Sequence, residues 1–155
     1  MKRFVIVLVS VLNLVLADAV VKELAAGCLK GSAAVPVIPG LFNLAYVENR
    51  GCAWGMFQGQ VWPLAIFGLV ALAFLVWKRR AVFGPGKLAA VAEPLLYAGI
   101  VGNVIDRLFR GFVIDMFDFH WGAHHFPCFN VADSLICVSV GLLLLASFLT
   151  KPSAR

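Results

Sequence analysis

Asparagine and aspartate recur at a fixed spacing in this chain, as Asn103-Val-Ile-Asp106 and Asn130-Val-Ala-Asp133. Residues three apart share one face of a helix, so each pair would present an amide beside a carboxyl. Between the two copies runs Val113-Ile-Asp115-Met-Phe-Asp118-Phe, a further acidic stretch among apolar side chains. The chain around them is 62% hydrophobic, with a mean hydropathy of +0.94. A carboxylate at a membrane edge is expensive unless it is paired or does chemistry, so several together mark a candidate site. Two close carboxyls can share one proton. One then takes a proton from water while the other donates to a carbonyl, the logic of an aspartic protease.

Spacing alone leaves the choice of pair open. Symmetry nominates Asp106 with Asp133. Asp106, however, is followed by Arg107, a counter-ion that would keep it ionised and structural. Asp115 has only Val113, Ile114, Met116 and Phe117 around it, which favours a raised pKa, and Asp118 is a third option. The plainer alternative for each Asn-x-x-Asp is helix capping, or a hydrogen bond inside a bundle.

The elements that must hold these residues follow from hydropathy. Four apolar stretches approach the length needed to cross a hydrocarbon core about 30 Å thick. They are Phe4–Val21, Val61–Trp77, Leu88–Ile105 and Phe129–Thr150. The expected fold is an all-α integral membrane protein with four transmembrane helices, one membrane domain over residues 1–155. Helices satisfy their own backbone hydrogen bonds in lipid. Asp133 is expected about one turn inside the fourth span, roughly 6 Å from Phe129 at the helical rise per residue. Lys2-Arg3 before an apolar run also fits a cleaved leader, but that run ends in Asp18 and Lys22 rather than in small residues, so it is expected to be retained.

Basic residues orient the chain. Lys2, Arg3, Lys78, Arg79, Arg80, Lys87, Lys151 and Arg155 fall on one side; Lys22, Lys30, Arg50, Arg107 and Arg110 fall on the other. The positive-inside rule then puts both termini in the cytoplasm. The net charge of +5 reflects this anchoring, and no basic cluster with interleaved aromatics points to nucleic acid. Two outer loops remain. The first, Lys22 to Gln60, is rich in glycine and proline, and Leu41–Val47 within it is a candidate short strand or surface-lying segment. The second, Leu108 to Cys128, holds Asp115, Asp118 and three histidines. Trp54, Trp62, Trp77 and Trp121 lie near expected span ends, as an interfacial belt would.

Other residue types have modest readings. Cys28, Cys52, Cys128 and Cys137 contain no Cys-x-x-Cys, so redox chemistry is not expected, although a Cys28–Cys52 disulfide stays open. His120, His124, His125 and Cys128 suggest interfacial anchors rather than a metal site, since Pro127 interrupts any helix presenting both His124 and Cys128. Ser32 near Lys22 and Lys30 gives little support for a Ser/Lys hydrolase. Arg107 and Arg110 could meet a head group or substrate backbone, and an Arg107–Asp106 pair is the simpler idea. Pro94 is expected to bend the third span, with Glu93 snorkelling at its cytoplasmic end.

In their order along the chain these blocks resemble a known family. Gly102-Asn103-Val-Ile-Asp106-Arg107, Val113-Ile-Asp115-Met-Phe-Asp118-Phe and Phe129-Asn130-Val-Ala-Asp133-Ser134 are similar to the signature blocks of lipoprotein signal peptidase (signal peptidase II, aspartic peptidase family A8). Asn49-Arg50-Gly51-Cys52-Ala53-Trp54-Gly55 resembles the family's Asn-x-Gly-x-Ala-Phe-Gly loop. Asp18-Ala-Val-Val-Lys22 resembles its Asp-Gln-x-Thr-Lys block, with Ala19, Val21 and Trp54 as departures. The resemblance implies Asp115 and Asp133 as the catalytic pair. It also implies Asn49, Gly51, Asn103, Asp106, Arg107 and Asn130 as residues lining the site, with Asp18 and Lys22 nearby. The implied enzyme needs no cofactor or metal and acts on diacylglyceryl-modified prolipoproteins, cutting before the lipidated cysteine. Inhibition by globomycin, contact with membrane lipids, a functional monomer and a site near the outer face of the bacterial cytoplasmic membrane are further expectations. The rival from another class is a small proton-coupled transporter or channel with the acids as a relay. A relay would spread its acids across the bilayer, whereas here only Glu93 lies apart.

Overall fold

A computed structural model of the chain describes residues 2–149. Lys151, Arg155 and the expected end of the fourth span at Thr150 lie outside the described residues. In chain order the elements are α1 (Lys2–Leu29), β1 (Val35–Ile38), β2 (Phe42–Asn49), a 3-10 turn (Ala53–Gly55) and α2 (Val61–Trp77). They continue with α3 (Arg79–Phe83), α4 (Lys87–Phe109), β3 (Val113–Trp121), β4 (His124–His125) and α5 (Val131–Leu149). Among the described residues three helices, α1, α4 and α5, are long and apolar enough to cross a membrane, and α2 is a shorter apolar helix of 17 residues.

The central helix is α4, which packs against α1, α2 and α5. Small residues let these backbones approach. A Cβ at Gly99 would lie 2.5 Å from the Ala132 carbonyl oxygen, and one at Gly68 would lie 2.5 Å from a Val104 methyl. Ala65, Ala92, Ala98 and Ala132 are fully buried at the same contacts. Close small-residue packing is how helices associate where lipid removes the hydrophobic drive. Outside these contacts α1 is apolar and exposed, at Phe4, Ile6, Leu12 and Leu16 among others, which suits a lipid-facing surface.

Beyond the helix ends lies a four-stranded antiparallel sheet in the order β1-β2-β3-β4. The sheet is the small β element that the first outer loop allowed, and it extends into the second. The candidate strand at Leu41–Val47 is β2, paired with β1 and β3. The second loop carries the longest strand, β3, whose Asp115 stands opposite Val47. Val113, Ile114, Phe117, Phe119 and Trp121 give this stretch the β-branched and aromatic composition of a strand, which its two acids disguise. Ile114 and Met116 of β3 pack with Ala25 of α1, so the sheet rests on the bundle.

Several boundaries move, among them the end of the third span, which runs on to Phe109 and so takes in Asp106 and Arg107. The first helix continues eight residues past its expected end at Val21, so Lys22 lies inside α1 and not in a loop; Gly31, at φ +78°, follows its end. The fourth helix starts at Val131, so Asp133 sits in its first turn rather than a full turn inside.

Candidate active site

Asn130 is the hinge of the site. It directly precedes α5, and its side-chain Oδ1 accepts the Asp133 backbone N–H at 2.9 Å while Asp133 Oδ2 accepts the Asn130 backbone N–H at 3.3 Å. This is a reciprocal capping box. The capping alternative for Asn-x-x-Asp is thus real at Asn130, and it leaves the rest of both side chains available. Asn130 Nδ2 donates to Asp115 Oδ1 at 2.7 Å and to Asn103 Oδ1 at 3.2 Å. Asn103 Nδ2 in turn donates to Asp133 Oδ1 at 2.7 Å. Asn49, at the end of β2, donates to Asp115 Oδ2 at 2.9 Å. Three asparagines therefore tie Asp115 of β3 and Asp133 of α5 into one network.

Electrostatics separates these acids. Asp115 is 1% exposed. Burial, and then the nearby Asp133 charge, push its carboxyl from the ordinary 3.8 up to about 7, against the hydrogen bonds from Asn49 and Asn130. Asp118 behaves differently. Burial raises its carboxyl, but hydrogen bonds from His125 and Asn43 outweigh that and hold it below the ordinary range. Burial and the charges of Asp115 and Asp118 drive the Cys128 thiol up to about 12, which keeps it a neutral, poor nucleophile. All four cysteines are free, so the Cys28–Cys52 disulfide is not formed.

Beneath the network lies a buried ionic layer. Lys22, 1% exposed, donates to Asp18 Oδ2 at 2.8 Å, Asp106 Oδ2 at 2.9 Å and Asn103 Oδ1 at 3.3 Å. All three ammonium protons are used, and the third presents the Asn103 amide so that its nitrogen faces Asp133. Asp18 Oδ1 also accepts the Ala132 backbone N–H at 2.9 Å, holding the start of α5.

The expected Arg107–Asp106 pair is corrected. Neighbours on a helix point about 100° apart, whereas residues four apart align. Asp106 Oδ1 accepts from Arg110 Nε at 2.9 Å, and Arg110 also bonds Glu23. Arg107 turns instead toward the site, donating to the Gly51 carbonyl at 2.9 Å and the Asn103 carbonyl at 3.4 Å. Glu93 is corrected as well: it is fully buried between Arg3 and Arg79 at the other end of the bundle and does not snorkel.

Gly51 joins Arg107 to Asn49, whose Oδ1 accepts the Gly51 N–H at 2.9 Å. A Cβ there would stand 2.5 Å from the Met56 carbonyl oxygen. Gly51→Ala is expected to push the segment 52–57 outward and lower turnover about a hundredfold by misplacing Asn49 and Arg107. Steady-state cleavage rates check this; a wild-type rate would show that the close approach is unimportant. The segment itself is strained, with Trp54 at φ 61° and Phe57 at φ 56°. Trp54, the departure from the family's phenylalanine, packs edge-on against Phe126 at 5.7 Å across the site.

Cavities meet here. One of about 580 Å³ is lined by Glu48, Asn49, Asp115, Asp118 and His125 on the sheet side. An apolar one of about 850 Å³ runs down α2 and α4 past Leu64, Phe67, Leu96 and Ile100 to Asn103 and Arg107. A third, about 520 Å³, is lined by Asn103, Arg107, Asp133, Phe129 and Cys137. Among the described residues, no group of three or more His, Cys, Asp or Glu is arranged for a metal ion.

Apolar helices with an acidic pair at one rim, reached by both a polar and a greasy cavity, define a membrane-embedded hydrolase of the aspartic type. The comparisons are specific. Residues 10–149 match the family model for signal peptidase (SPase) II. A lipoprotein signal peptidase of Syntrophotalea carbinolica is 41% identical over 149 residues, covering 94% of this chain and 92% of that one. Another, from Geobacter metallireducens, is 40% identical over 141 residues, covering 89% and 86%. A solved bacterial membrane enzyme superposes with a TM-score of 0.82 at 31% identity, covering 96% of this chain and 93% of its own. The chain belongs to the signal peptidase II family; it is an aspartic peptidase and a bacterial membrane protein. The transporter alternative finds no support.

Proposed function

We propose that Asp115 and Asp133 are the catalytic pair of a peptidase that removes signal peptides from diacylglyceryl-modified prolipoproteins, cutting before the lipidated cysteine. The observation that carries this is Asn130, which bonds one carboxyl through its amide while forming the capping box of the other. With one proton shared, the ionised carboxyl activates water and the protonated one donates to the scissile carbonyl, later to the leaving amine. The Asn49 and Asn103 amides orient the pair, and Arg107, bonded to the Gly51 and Asn103 carbonyls, holds the Gly51 loop against α4 beside it. Asp18, Lys22 and Asp106 support Asn103 from below. Gly51 keeps the loop close.

The apolar cavity along α2 and α4 suits the acyl chains of the substrate, and the sheet-side cavity suits the peptide. We read residues 1–155 as one membrane domain with α2 as a fourth span, crossing where the bilayer is locally thinned, beside α1, α4 and α5. Its 17 residues cover about 26 Å at the helical rise. The positive-inside rule supports cytoplasmic termini and a site at the outer face of the cytoplasmic membrane. The chain supplies every site residue named here, so a monomer suffices, and no cofactor is invoked. Detergent-purified protein incubated with a lipidated prolipoprotein should show the mass loss of the signal peptide, and globomycin should block it. A folded protein that leaves the precursor intact would overturn this reading.

The raised Asp115 pKa sets a pH limit. A carboxyl that must hold the shared proton loses it as pH rises through about 7, so kcat/KM falls on that side. Asn49 donates to the ionised form, so Asn49→Leu raises the pKa further and moves the alkaline limb to higher pH. A pH–rate profile checks the sign; movement to lower pH would contradict the assignment.

A further inference from the structure

The bundle end remote from the aspartates holds a second polar cluster. Glu93 of α4 is fully buried, and its Oε2 accepts from Arg3 Nη2 at 3.0 Å and Arg79 Nη2 at 3.1 Å, with Arg79 Nε on Oε1. A buried carboxylate bonded by two guanidiniums fixes where those arginines stand. Arg80 is exposed, and among the described residues it makes no ion pair. Arg3, Arg79 and Arg80, with Gly84 and Pro85, line a cavity of about 410 Å³. Arg3 and Arg79 share the single Glu93 carboxylate and Arg80 stands beside them on the cavity wall, so two of the three guanidinium charges are uncompensated. Trp77, exposed beside the cluster, carries Lys78 Nζ 3.8 Å from its ring centroid, and Phe4 and Val5 expose apolar flanks next to Arg3.

We propose that this cavity binds the phosphate of an anionic phospholipid headgroup. The guanidinium fork matches phosphate oxygens in a way a lysine does not. Arg3 keeps Nε and Nη1 free of Glu93, Arg79 keeps Nη1, and Arg80 keeps all its donors. The cavity opens where helix ends reach the headgroup layer, and its apolar neighbours can meet the acyl chains. Basic pockets between spans take anionic headgroups in this way. The simpler alternative is that these charges serve only to orient the chain, in which case every basic residue at this end counts alike.

Full-length protein in a neutral detergent, titrated with phosphatidylglycerol, phosphatidylcholine or inorganic phosphate and read by native mass spectrometry, tests this. Phosphatidylglycerol should be retained over phosphatidylcholine. Arg80→Gln should weaken it about fivefold, while Lys87→Gln, exposed at the same end but outside the cavity, should not. Unchanged precursor cleavage by Arg80→Gln shows that this variant is folded. No preference for the anionic lipid, or an equal loss in Lys87→Gln, would overturn the site. Inorganic phosphate displacing the lipid at equal concentration would overturn its assignment to a lipid.

Discussion

Asp115→Asn and Asp133→Asn should each lower turnover by about three to four orders of magnitude, the scale of general acid–base catalysis. Each change keeps the shape of the side chain and removes the ability to exchange a proton. Asp115 accepts one hydrogen bond on each oxygen, from Asn130 and Asn49. An amide in its place turns one of those contacts donor to donor, so Asn49 must rotate, at about 1 kcal/mol of stability. Asp133→Asn meets a similar conflict with the Asn130 backbone N–H or the Asn103 amide. Both variants should therefore insert and stay folded while cleavage is lost. Mass spectrometry of a lipidated precursor, beside thermal unfolding in detergent, separates the two effects. Wild-type processing by either variant would remove that residue from the pair. Asp118→Asn should retain most activity, since that carboxyl is held by Asn43 and His125 outside the asparagine network.

Lys22→Met should be the most destabilising single change at the site, by about 3–5 kcal/mol, the penalty for leaving buried charge unpaired. Methionine fills a similar volume but leaves Asp18 and Asp106, both buried, facing one another across the gap. Asp106 keeps Arg110 and Asp18 keeps the Ala132 amide, so neither acid is wholly without a partner. The Asn103 amide also loses one of the two donors that orient it, keeping only Asn130, so the partner of Asp133 is less firmly fixed. Denaturant or thermal unfolding in detergent measures the first effect. Adding Asp18→Asn and Asp106→Asn to Lys22→Met should recover much of the stability without restoring full turnover. A single Lys22→Met variant as stable as wild type would show that the ammonium is not the keystone of this layer.

These outcomes depend on contacts of very different visibility. The network that joins Asp115 to Asp133 is not legible from spacing, whose symmetry nominates Asp106. Asp106 is held in ion pairs, as its expected structural role requires, but by Lys22 and by Arg110, four residues on, rather than by its chain neighbour Arg107. A charge at Lys22 marks the end of the apolar run in the sequence, which puts that residue at the start of a loop. In the folded chain two carboxylates and an amide oxygen satisfy it, so α1 continues to Leu29. The strand β3 was hidden for a related reason. Asp115 and Asp118 break its apolar pattern, and its pairing with β2 is non-local, with Asp115 opposite Val47.

What the amino-acid order determines here is what depends on local spacing and composition. It sets the apolar helices, the Asn130–Asp133 cap, the turn glycines and the family blocks, because each needs only residues within a few positions. The tertiary structure alone decides which acids share a network, which cation each one faces and which carboxyl holds its proton near neutral pH. Those properties arise from burial and from partners tens of residues distant, such as Lys22 with Asn103 and Asn49 with Asp115. Electrostatic coupling falls with distance in space and ignores distance along the chain, so no reading of spacing can supply it.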